Sequence, residues 1–130
     1  MSRQPDTNQS QPPVACDMSA APDTPLQRAA EYRRLFSQAL TGRERLEAGI
    51  RFRFRADPGL AEWVHDLAER EKACCAFFNF TVTADDREIL WDASVIDDES
   101  ARRVLAEFYR LPETLDAIRG GSWPGPDSGC

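Results

Sequence analysis

Two adjacent cysteines, Cys74 and Cys75, are the residues of this chain best suited to chemistry. They sit in Glu71-Lys72-Ala73-Cys74-Cys75-Ala76-Phe77-Phe78-Asn79-Phe80. Neighbouring Cα atoms lie about 3.8 Å apart across a trans peptide. Disulfides usually span roughly 4.4–6.8 Å, so a Cys74–Cys75 bridge would be strained and easily reduced. Two vicinal thiolates can instead converge on one large soft ion, because soft ligands select soft metals. Cys74 and Cys75 are therefore the candidate metal ligands, with Hg, As or Cu as candidate ions and no obligatory cofactor. A structural zinc site wants four ligands, commonly with C-x₂₋₄-C spacing, which is absent. The single histidine, His65, falls on a polar side with Glu62, Glu69 and Lys72 and reads as solvated.

A plainer role competes with this one. Unoxidised Cys packs as a small hydrophobe. Position 74 continues an apolar helical stripe, and Phe77, Phe78 and Phe80 supply aromatic surroundings. Burial would raise the thiol pKa and make the group inert.

Cys130 is a candidate third thiol. The chain after Pro112 is rich in Gly and Pro and has a typical reach of roughly 25 Å. Cys130 could complete a three-thiol site for a trivalent arsenical, or resolve a mixed disulfide at Cys74 or Cys75. As an unremarkable terminal thiol it would do neither, and Cys16 follows the same logic with a weaker case. A disulfide framework is not expected, since two of the four cysteines are neighbours and two lie in tail-like segments.

Composition narrows the field. The chain of 130 residues fits one domain. Its formal charge of −6 disfavours phosphate backbones, so no nucleic-acid partner is expected. No apolar run approaches the roughly 18 residues of a membrane span, and Met1–Ser10 lacks a signal-peptide layout. The expectation is a cytoplasmic protein whose thiols are reduced. Without a Ser/His/acid set or a phosphate loop, no catalytic residues are assigned.

The elements that must position the pair follow from patterning. Residues 1–23 are polar and Pro-rich and read as a disordered tail, and 120–130 as a flexible one. The domain is expected over 24–119. Thr24-Pro25-Leu26-Gln27 carries a capping box with Pro at the first helical position, opening a helix closed by Thr41-Gly42. Ile50, Phe52 and Phe54 alternate with Arg51, Arg53 and Arg55, the pattern of a half-buried strand. Asp57-Pro58 should start a second helix with the stripe Leu60, Trp63, Val64, Leu67 and Cys74. Strands follow over Phe77–Thr83 and Glu88–Ser94, and Asp97 or Asp98 caps a last major helix. The order α-β-α-β-β-α predicts an α+β two-layer sandwich, a three-stranded sheet with helices on one face. The Arg stripe should pair with Glu88 and Asp92 across strands.

From about Ile50 to Trp91, and above all at Ala73–Phe80, the chain resembles small bacterial proteins sharing a Cys-Cys-Pro/Ala-Phe-Phe/Leu-x-Phe segment after an acidic helix. Similar segments occur in proteins described as mercury-responsive or arsenic-associated. The resemblance implies a metal or metalloid theme. Ala76 stands where the group more often has Pro. A mercury-responsive regulator would also carry a helix-turn-helix, which is not recognisable in this chain.

Three functions follow. The first is a small binding protein that captures a soft ion at Cys74 and Cys75, and it expects an accessible thiol. The second is an interaction module, forming a homodimer or binding another protein through an open sheet face or an aromatic edge, with the cysteines as core. The third is a thiol redox enzyme using Cys130. It is the weakest, because only Lys72 among the flanking residues could lower a thiol pKa.

Overall fold

The computed structural model describes residues 17–19 and 21–117. Cys16 and Cys130 lie outside the described residues. So do the tail expected over 120–130 and most of the tail expected over 1–23.

The fold is α+β, with four helices and a four-stranded antiparallel sheet. Helix α1 spans Pro25–Ala39, and its capping box is complete: the Thr24 side chain accepts from the Gln27 N–H and Gln27 accepts from the Thr24 N–H. The chain then passes without a loop into strand β1, Leu40–Arg45. Strand β2 is Ile50–Arg55, helix α2 is Leu60–Cys74, strand β3 is Phe78–Ala84 and strand β4 is Glu88–Val95. Helices α3, Glu99–Tyr109, and α4, Leu111–Ala117, complete the domain.

Two expectations are corrected. The sheet has four strands in the order β1-β2-β4-β3, not three, and the element order is α-β-β-α-β-β-α-α. Strand β1 lacks apolar alternation because Arg43 and Arg45, on its inward positions, lay their guanidinium groups 4.8 and 4.4 Å from the Tyr109 ring centre. Arginine stems can cover apolar surface while their heads stay wet. Helix α2 begins later than Asp57-Pro58 suggests, at Leu60, with Gly59 at the cap in a left-handed conformation (φ +79°). That φ favours glycine.

Strand alternation divides the sheet. Ile50, Phe52, Phe54, Ile89, Trp91 and Ala93 are buried on one face. Tyr32 and Phe36 from α1 and Phe108 from α3 pack on that face, with ring centres 5.1–6.2 Å from Phe52 or Trp91. The opposite face carries the expected ion pairs, Arg51–Asp92 at 2.7 Å and Arg53–Glu88 at 2.9 Å. Asp98 caps α3 by accepting from the Ala101 N–H.

One glycine is demanded by packing. A Cβ on Gly49 would stand 2.1 Å from the Ala93 carbonyl oxygen in the central strand β4. Backbone cannot yield there without opening the Ile50–Ala93 pairing. Gly49→Ala should therefore cost about 1–3 kcal/mol, read from urea denaturation. A change within the error of the measurement would contradict this register.

Candidate functional site

Helices α1 and α2 lie side by side, and the layer between them is polar where two apolar stripes would be expected to meet. Glu31 of α1 accepts from Trp63 Nε1 at 2.7 Å and pairs with Arg70 of α2 at 2.7 Å. Asp23, just before α1, pairs with Arg28 at 2.6 Å and with Arg70 at 3.1 Å. Deepest in the layer, Arg28 Nη1 donates to Glu71 Oε2 at 3.0 Å, and both residues are 1% exposed. Arg28 occupies the buried stripe of Tyr32, Leu35, Phe36 and Ala39, and Glu71 that of Leu60, Val64, Leu67 and Cys74. The fold thus buries one charge from each stripe and pairs them.

This layer ends on the cysteines. Arg28 Nη1 lies 4.0 Å from Cys74 Sγ, and Cys74 Sγ lies 3.7 Å from Cys75 Sγ. Ligand atoms of Glu71, Cys74 and Cys75 all fall within 4.8 Å of one another. Both sulfurs are buried, at 7% and 0% exposure. The expectation of an accessible thiol is corrected: α2 carries the pair on its inward stripe up to its last residue, and Cys75 turns in behind it.

The electrostatics do not favour a reactive thiolate at Cys74. Burial, and then the Glu71 charge, push the Cys74 thiol pKa up, with Arg28 only partly offsetting them. Burial also raises Glu71, again against Arg28. The pair stands at the C-terminal end of α2, where the helix dipole is negative and a bare thiolate gains nothing, whereas a positive charge is favoured. Burial, and then the neighbouring Glu71 carboxylate, hold the buried Tyr32 phenol well above its ordinary pKa. Lys72 does not serve the thiols; its ammonium donates to the carbonyls of Ala76 and Phe78.

Cys74 carries a thiol. Cys75 is disulfide-bonded. The expectation of reduced cysteines is thus corrected at Cys75. The bond is not to Cys74, in keeping with the geometry of vicinal residues: 3.7 Å between the sulfurs is far beyond the roughly 2.05 Å of a bond. A bonded sulfur has no thiol proton, so the buried position exacts no ionisation cost from it.

Of the sequence-derived site residues, the structure brings Cys74 and Cys75 together; Cys130 lies outside the described residues. His65 is exposed, as expected. Arg28, Tyr32 and Glu71 were not anticipated as neighbours. The legible signal was a charged residue in register with each apolar stripe.

Comparison with known proteins adds no assignment. No family model matches the chain, and neither a curated protein nor a solved structure matches it. No helix among the described residues is long and apolar enough to cross a membrane.

Proposed function

We propose that this protein binds a soft metal or metalloid ion in its reduced state, with Cys74 and Cys75 as ligands and Glu71 as a third donor or charge partner. The observation that carries this reading is the convergence of two sulfurs and one carboxylate within 4.8 Å, all buried. A hard, oxygen-seeking cation finds one carboxylate there and two sulfurs it binds poorly; mercury, copper(I) or trivalent arsenic finds its preferred donors. The resemblance of Ala73–Phe80 to metal-associated proteins points the same way.

Entry requires an opening. The segment Asp17–Ser19 lies against the pair, tied by the Asp17 N–H to the Cys74 carbonyl at 2.9 Å, with Asp17 and Ser19 exposed. Detachment of this segment would be the route in.

The test uses protein reduced with a dithiol and then desalted. Phenylarsine oxide or Hg(II) should protect two thiols of the folded chain from a chromogenic thiol reagent. Cys74→Ser/Cys75→Ser should abolish binding, and Glu71→Gln should weaken Hg(II) by about 10–100-fold, as for the groups around other metal sites. Thiols that meet neither ion nor reagent until urea unfolds the chain would defeat this reading. That result would favour the interaction module, which the burial of both sulfurs supports, and direct attention to the open face bearing Arg51, Arg53, Glu88 and Asp92.

A further inference from the structure

We propose that the outer edge of strand β3 is a docking surface for a second copy of this chain, the two β3 strands pairing antiparallel about Val82 to join the sheets. Such pairing uses neither cysteine and does not rest on the soft-ion reading above.

The strand order β1-β2-β4-β3 leaves β1 and β3 as the edges of the sheet. An edge strand presents a row of unpaired backbone groups, which proteins usually blunt with charges, proline, bulges or shortness. Strand β1 is blunted in this way: it carries Arg43, Glu44 and Arg45, and its register shifts between Leu40 and Gly42. Strand β3 is not. Phe78-Asn79-Phe80-Thr81-Val82-Thr83-Ala84 holds no charge and no proline, and its pairing with β4 runs without a shift from Phe78 to Ala84.

The ladder decides which backbone groups point outward. The Ile96 N–H donates to the Phe77 carbonyl at 3.2 Å, and the Asp85 N–H donates to the Glu88 carbonyl at 3.0 Å. Hydrogen-bonded pairs alternate along an antiparallel ladder. Asn79, Thr81 and Thr83 therefore turn their N–H and C=O groups to β4, while Phe78, Phe80, Val82 and Ala84 turn theirs to the edge. Phe78 is already in use: its N–H donates to the Cys75 carbonyl at 3.1 Å, and its carbonyl accepts from Lys72 Nζ at 2.7 Å. The outward groups of Phe80, Val82 and Ala84 have no backbone partner among the described residues.

Those groups are complementary to themselves. With Val82 on a two-fold axis, its N–H and carbonyl meet the carbonyl and N–H of Val82 in the other copy, and Phe80 meets Ala84 likewise in both directions. Every outward group left open is then paired. A register centred on Thr81 would instead set Ala84 against Phe78, whose groups are taken. On the polar face, Thr81 stands across from Thr83 of the other copy, a favourable cross-strand pair. On the opposite face, the flanks of Phe80 and Val82 left partly exposed by the core gain cover. Charge agrees as well. Exposed Asp85 and Asp86 follow the end of β3, and exposed Lys72 sits on the Phe78 carbonyl at its start. Antiparallel pairing brings the acids of one copy to the lysine of the other at both ends, which gives this edge a reason to select its own kind.

Sedimentation equilibrium on the full chain, with a reductant present to prevent disulfides between copies, tests this. Wild type should sediment at twice the chain's 14.6 kDa. Val82→Pro removes the N–H at the axis, and proline is tolerated on an edge strand whose N–H faces solvent. Thr81→Lys/Thr83→Lys leaves the backbone untouched and sets like charges opposite one another on an exposed face. Both variants should halve the mass while keeping the circular dichroism of wild type. Should Val82→Pro fail to fold, the lysine variant decides alone. A wild type that stays monomeric at every concentration reached, or a dimer that survives the lysine variant, overturns the proposal.

Discussion

Arg28→Met is expected to cost about 3–5 kcal/mol of folding stability, the range for removing one partner of a buried ion pair. Arg28 is 1% exposed and serves Asp23, Glu71 and Cys74 at once. Its loss strands the buried Glu71 carboxylate beside a sulfur. Small domains hold only about 5–15 kcal/mol in total, so the variant should sit near the edge of folding. The double variant Arg28→Met/Glu71→Leu should recover much of the loss, because it removes both charges.

The pH dependence carries a definite sign. Glu71 is raised in the folded state, chiefly by burial. The stability it contributes is present below its unfolded pKa, about 4.3, and is lost as pH rises through the folded value. Without Arg28 the folded value rises further, so the deficit of Arg28→Met should grow between pH 5 and pH 8. Asp23 runs the other way: its hydrogen bonds to Arg28 lower its pKa. Its contribution is present above about 3.9 and lost as pH falls through the lowered folded value. Urea denaturation of wild type and both variants at several pH values measures all of this. A deficit below 1 kcal/mol, or one that shrinks as pH rises, would contradict the network.

Trp91→Ala is the second large effect, at about 3–5 kcal/mol for emptying so large a core position. Trp91 is fully buried in the central strand β4 and meets Tyr32, Phe52, Phe80 and Phe108 with ring centres 5.5–6.3 Å away. Those rings come from four other elements, so the cavity cannot be closed by one side chain. Trp91→Phe should be far milder, under about 1.5 kcal/mol. Trp91 Nε1 is buried with no hydrogen-bond partner, so phenylalanine removes an unsatisfied donor while losing some contact. Near-equal costs for the two substitutions would contradict this.

These effects bear on how much the sequence could disclose. Ile50–Arg55 was legible because alternation is the direct imprint of a sheet with one dry face, and the capping box at Thr24–Gln27 is a local signature needing no partner. Strand β1 was not legible, since its inward positions are Arg43 and Arg45, whose fit depends on Tyr109 arriving from far along the chain. The start of α2 was misplaced because Asp57-Pro58 satisfies a local rule that the left-handed Gly59 overrides.

The site was half legible. Adjacent cysteines are visible in any reading, and so is their position at the end of a helical stripe. Nothing local, however, sets α1 beside α2 at the level where Arg28 meets Glu71. The burial of both sulfurs depends on that packing. Charged residues in register with apolar stripes were the available hint: two such residues on two helices are best reconciled by pairing.

The most direct test of the account is X-ray absorption on reduced, folded protein loaded with Hg(II) or arsenite and passed through a desalting column. The expected result is ion retained with the protein and a first shell of sulfur, lost in Cys74→Ser/Cys75→Ser. An ion that does not stay with the protein, or a shell of oxygen and nitrogen alone, would contradict it and leave the pair as buried core.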